Sequence, residues 1–146
     1  MPFFAAPGGP SAVGAGEAEN PPVVLLVRDD DLRLLIRGVL TLYRYPVALE
    51  GSSPESLRRL GPLEQPTVLI LDAGDGSGTW REDLAQTLRE SPQLRAVVLF
   101  PAGAEASRAE AEALGARATV VRPVVLRELV AAIRAAIEGS SGSAPG

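Results

Sequence analysis

Thr67-Val68-Leu69-Ile70-Leu71-Asp72 is an unbroken apolar run that ends on a carboxylate, and its reading decides the fold. A strand with one face in water alternates apolar and polar residues. A run without alternation fits a strand covered on both faces, as in a parallel sheet flanked by helices. Four similar short runs occur at Val23–Val27, Pro46–Leu49, Ala96–Phe100 and Thr119–Val121, giving five candidate strands with Thr67–Leu71. The segments between them carry helical signals. Leu32, Leu35, Ile36, Val39, Leu40 and Tyr43 fall on one stripe, and Leu126, Leu129, Val130, Ile133 and Ile137 repeat the pattern near the end of the chain. Ser53-Pro54-Glu55 reads as a cap followed by a first-turn proline, opening a helix with Leu57 and Leu60 inward that stops near Gly61-Pro62. Two further helices are expected over Arg81–Glu90 and Glu105–Leu114, the latter stopped by Gly115. Strand and helix thus alternate five times, which predicts an α/β fold with a doubly wound parallel sheet of order 2-1-3-4-5.

The remaining composition narrows the chemistry. The 146 residues, 46% of them hydrophobic, suit one domain over residues 23–138, with a flexible leader at 1–22 and a linker-like tail at 139–146. Cysteine and histidine are absent, so thiolate nucleophiles, thiolate metal sites and the usual general base are excluded, which removes many classes of enzyme. Lysine is absent too: all fourteen cations are arginines. A net charge of −4 without a clustered basic face argues against nucleic acid as partner. No apolar run is long enough to span a membrane, and the expected location is the cytoplasm.

In a doubly wound sheet the functional crevice lies beyond the carboxyl ends of the strands, where the strand order reverses. Strand 1 leads into Arg28-Asp29-Asp30-Asp31 and strand 3 ends on Asp72, so adjacent strands bring carboxylates to one edge. Such an oxygen-rich cluster suits Mg²⁺. A plainer role for Asp29 to Asp31 is to cap the first helix, where its dipole favours negative charge. The two roles are compatible.

Val23-Val-Leu-Leu-Val-Arg-Asp-Asp-Asp31, the strand ending on Asp72, and Gly115-Ala-Arg-Ala-Thr-Val-Val-Arg-Pro123 together resemble receiver domains of two-component response regulators, over about residues 23 to 138. The resemblance implies a flavodoxin-like (CheY-like) three-layer sandwich in which Asp72 accepts a phosphoryl group from a histidine kinase or phosphotransfer protein. It also implies Mg²⁺ held by Asp29, Asp30, Asp72 and the Gly74 carbonyl, with Arg122 as charge partner in the place of the family's lysine. The pattern is altered at several positions. Arg28 stands where the first residue of the acidic pair is usual, Phe100 where the family has Ser/Thr, and Thr119 where it has an aromatic switch residue.

The glycine-rich segment after Asp72 is expected to be mobile, with Trp80 as a cover over the third helix. It is no phosphate-binding Walker loop, which needs lysine, and it lacks the acidic spacing of a calcium hand. Gly74 also stands where a haloacid-dehalogenase phosphatase needs its second aspartate. Three readings follow: a phosphoaccepting receiver; a pseudo-receiver that binds proteins without phosphorylation, with Arg28 or Arg122 neutralising Asp72; and a small-ligand-binding domain, for which 4% aromatic content offers few stacking surfaces. The implied partners are a histidine kinase or phosphotransfer protein and a downstream effector. A homodimer is conceivable through the fourth helix, fifth strand and fifth helix, where Ala106, Ala109, Ala113, Arg108 and Arg117 lie.

Overall fold

The computed structural model describes residues 20–61 and 63–142, with no side-chain description for 139–142. The strands are β1 (Val23–Leu26), β2 (Val47–Gly51), β3 (Thr67–Asp72), β4 (Leu94–Pro101) and β5 (Ala118–Arg122). The α-helices are α1 (Asp30–Leu42), α2 (Trp80–Glu90), α3 (Glu105–Leu114) and α4 (Leu126–Gly142). All neighbouring strands pair in parallel, in the order β2-β1-β3-β4-β5, as the unbroken apolar runs predict.

The reason lies in the two-residue period of a strand. Val23, Leu25 and Val27 face one core layer with Val68, Ile70, Val97 and Leu99, under α1 and α4. Val24 and Leu26 face the other with Leu69, Leu71, Val98 and Phe100, under α2 and α3. Both faces need apolar residues, so β1 and β3 are buried throughout.

The structure corrects several expectations. The second helix is a 3₁₀ turn, η1 (Pro54–Arg59), capped by Ser53 Oγ, which accepts from the Glu55 N–H at 3.1 Å. Leu60 already has an extended backbone there, so six residues are all the segment gives. The residue before a proline disfavours helix, which limits extension at Gly61; Pro62 itself lies outside the described residues. Leu35 and Tyr43, expected on the inward stripe of α1, are about half exposed; only Ile36, Val39 and Leu40 are fully covered. They sit at the margins of an arc wider than the strands beneath can cover. Leu126, in the first turn of α4, is also exposed.

The domain edges move as well. Asn20 Nδ2 donates to the Tyr43 and Arg44 carbonyls at 2.9 and 3.2 Å, and Val68 N–H donates to the Pro22 carbonyl at 2.9 Å. Residues 20–22 therefore belong to the fold, while the rest of the expected leader, 1–19, lies outside the described residues. Helix α4 runs to Gly142, four residues past the expected boundary at 138. Residues 143–146 lie outside the described residues. Among the described residues no helix is long and apolar enough to cross a membrane.

Candidate functional site

Asp72 closes β3 at the switch point between β1 and β3, where the sheet order reverses. Its side chain is 2% exposed. Oδ1 accepts from the Gly74 N–H at 2.9 Å, and Oδ2 lies 3.4 Å from the Arg28 N–H at the end of β1. Two backbone donors thus orient the carboxylate.

Arg122, at the end of β5, reaches the same point. Its Nη2 donates to the Gly74 carbonyl, and Nη1 stands 3.7 Å from Asp72 Oδ1. The second contact is Coulombic, since 3.7 Å is too long for a hydrogen bond. Arg122 Nε is buried with no partner among the described residues. Gly74 can turn its carbonyl towards Arg122 because its φ is +66°, a conformation that costs an L side chain dearly and glycine little.

The expected acidic pair is directed elsewhere. Asp29 is the N-cap of α1, its Oδ1 accepting from the Leu32 N–H at 3.0 Å, and Asp30 pairs with Arg33 at 2.6 Å on the surface. Arg33 also donates to the Val27 carbonyl and lies 3.3 Å from Glu50, which ties α1 to β1 and β2. The capping role therefore prevails over convergence on Asp72. Arg28 meets Asp72 through its backbone, and its exposed side chain lines a cavity of about 250 Å³ with Ser53, Glu55, Asp72 and Thr79.

The fit of Mg²⁺ can be judged from these donors. The ion needs oxygen ligands free to face it. Here a guanidinium already takes the Gly74 carbonyl and stands beside Asp72, while Asp29 and Asp30 are engaged in α1. Among the described residues no three acidic side chains converge into a metal-holding group. The residues as arranged do not fit the metal.

The altered family positions have structural roles. Phe100 is fully buried and meets Trp80 edge-on, with ring centroids 5.4 Å apart and planes at 73°. Thr119 Oγ1 accepts from Arg108 Nε at 3.2 Å, joining β5 to α3. The loop after Asp72 is bonded at several points. Trp80 Nε1 donates to the Gly76 carbonyl at 3.0 Å, and Asp75 Oδ1 accepts from both the N–H and the hydroxyl of Ser77. The Ser77 hydroxyl bond, then its backbone bond, hold the Asp75 carboxyl below its usual range.

Sequence reasoning missed Asp83. It is buried on α2 and accepts from Arg58 Nε and Thr79 Oγ1, each at 3.0 Å, which locks η1 to the start of α2 at the cavity wall. Its signal was present: Asp83 stands directly before the inward Leu84, on the same face as Trp80 and Thr87.

This architecture is the fold of response-regulator receiver domains. The receiver protein of Pseudoalteromonas atlantica superposes with a TM-score of 0.69 at 18% identity, over 83% of this chain and all of that one. The receiver domain protein of Clostridium thermocellum gives 0.67 at 18%, over 82% and 96%. The adenylate cyclase of Rhodopirellula baltica gives 0.70 at 19%, over 82% and 88%, so the fold is shared with a protein of another description. At such identities the likeness carries the fold alone. No protein-family model matches the sequence, and neither does any curated protein sequence.

Proposed function

We propose that this chain is a receiver-fold module that acts by binding another protein, without phosphorylation, and that Arg122 neutralises Asp72 permanently. The observation that carries the reading is the Arg122 guanidinium, joined to the Gly74 carbonyl and 3.7 Å from Asp72 Oδ1. A fixed cation at that point does what a metal and a phosphoryl-binding cation would otherwise share. It also leaves the carboxylate screened by a group that cannot dissociate. Phe100 and Thr119 support the same reading, because each is committed to packing or to Arg108 instead of to a phosphoryl group.

One observation favours a second reading, in which Asp72 takes a phosphoryl group from a histidine kinase or phosphotransfer protein: the 250 Å³ cavity reaches Asp72 and Ala73 from the surface. In that reaction a carboxylate oxygen forms the bond to phosphorus as the phosphorus–nitrogen bond of the donor breaks. Treating the full chain with acetyl phosphate and Mg²⁺ and measuring its intact mass separates the two. The expected result is an unmodified chain; a phosphoryl mass gain that disappears in Asp72→Asn would establish the second reading instead.

A further inference from the structure

Six large apolar side chains are exposed among the described residues, and four of them cluster on α1 and its cap: Leu34 at 57%, Leu35 at 49%, Leu42 at 74% and Tyr43 at 43%. The face of α3, β5 and α4 has only Val125 and Leu126, at its edge. On α1, Asp31, Leu35, Gly38 and Leu42 follow one another at i, i+4, i+7 and i+11, a straight stripe along the exposed margin of the helix, about a third of a turn round from the buried Ile36, Val39 and Leu40. Leu34 flanks that stripe.

The two ends of the stripe differ in charge. At the N-terminal end Asp31 makes no ion pair among the described residues, while the exposed Asp30 beside it is paired with Arg33. At the C-terminal end stand Arg44, exposed and likewise without an ion pair among the described residues, and Arg134, whose guanidinium lies 6.0 Å from the Tyr43 ring centre. The helix dipole runs the opposite way, positive at the acidic end and negative at the basic end, and two helices packed antiparallel also bring opposite dipole ends together. A surface with opposite charges at its two ends and apolar residues between is complementary to itself when turned by a two-fold rotation. Gly38 sits near its middle, and a Cβ built there meets nothing within 4 Å, so no side chain keeps a second helix away.

We infer that α1 is a self-association surface, on which a second copy of this chain packs antiparallel about a two-fold axis near Gly38. Leu34 and Leu35 then face Leu42 of the second copy, Gly38 faces its counterpart, and Asp31 approaches the second copy's Arg44. This moves the dimer from the α3–β5–α4 face to α1, and it holds whichever chemistry Asp72 performs.

The absence of cysteine makes the test clean. Gly38→Cys in the full chain is expected to form a disulfide-linked dimer under mild oxidation, while Ala109→Cys on α3 stays monomeric. In sedimentation velocity, Leu42→Glu is expected to weaken dimerisation by about tenfold or more, as for a central apolar contact. Asp31→Arg is expected to weaken it as well, and Asp31→Arg combined with Arg44→Asp to restore it. Circular dichroism of each variant confirms that the fold is retained. A chain that stays monomeric at all concentrations overturns the inference, as does a dimer indifferent to Leu42→Glu or one cross-linked through Ala109→Cys.

Discussion

Replacing Trp80 with alanine is expected to lower stability by about 3–5 kcal/mol, the range for removing a large buried aromatic. Trp80 is 1% exposed, stacks edge-on against Phe100 and packs among Leu84, Leu69 and Leu71 in the layer under α2 and α3. The edge-on pair contributes about 0.5–1.5 kcal/mol of this beyond burial. The indole N–H adds a second function, since it holds the Gly76 carbonyl and so fixes the loop that carries Gly74 towards Arg122. Trp80→Phe separates the two contributions. It keeps most of the ring contact but leaves the Gly76 carbonyl without its donor, and is expected to cost about 1–2 kcal/mol. Urea denaturation followed by circular dichroism measures both. A loss below about 1.5 kcal/mol for the alanine variant contradicts the packing role assigned to Trp80.

The second expected effect concerns the pair at the centre of the site. Arg122→Ala is expected to cost about 1–3 kcal/mol, because it leaves the buried Asp72 carboxylate with backbone donors only. The estimate stays below the usual cost of breaking a fully buried pair because the Arg122 side chain is 27% exposed. In an Asp72→Asn background the same change is expected to be mild. The four proteins of this cycle, compared by urea denaturation, should show a coupling of about 1 kcal/mol or more. Zero coupling would mean that Arg122 serves only the Gly74 carbonyl and that Asp72 is not its charge partner.

The fold was legible because its strands are buried on both faces. Thr67–Leu71 could be read as a strand from its unbroken apolar run, and it lies between β1 and β4 in the sheet, as the expected order has it. The margins were less legible. A periodic stripe records which residues share a helix face, but not how far the sheet beneath extends, so Leu35 and Tyr43 read like Ile36 and Leu40. Ser53-Pro54-Glu55 signals a helix start equally well for a 3₁₀ turn and an α-helix, since the same cap serves both.

At the site, Asp72 was identifiable from its position at a strand end, Gly74 and Arg122 only through the resemblance to receiver domains, and the structure brings these three together. Asp29 and Asp30 were named with them, yet their side chains serve α1. Sequence places a carboxylate at a strand end; whether it turns to its own helix or to the crevice depends on competing donors. For Asp29 the Leu32 N–H is one turn away and wins. Asp83 escaped notice because an inward carboxylate becomes tolerable only when partners arrive from elsewhere, here from Arg58 in η1, distant in sequence.

In the reading proposed for Asp72, the Arg122 guanidinium occupies the place where a cation would have to bind. Trp80, the sole tryptophan, donates to the Gly76 carbonyl two residues beyond Gly74, so its fluorescence reports on the loop. The most direct measurement is a Mg²⁺ titration of Trp80 emission at constant ionic strength. No saturable change is expected through the millimolar range. A saturable change in the natural sequence that is lost in Asp72→Asn would contradict it.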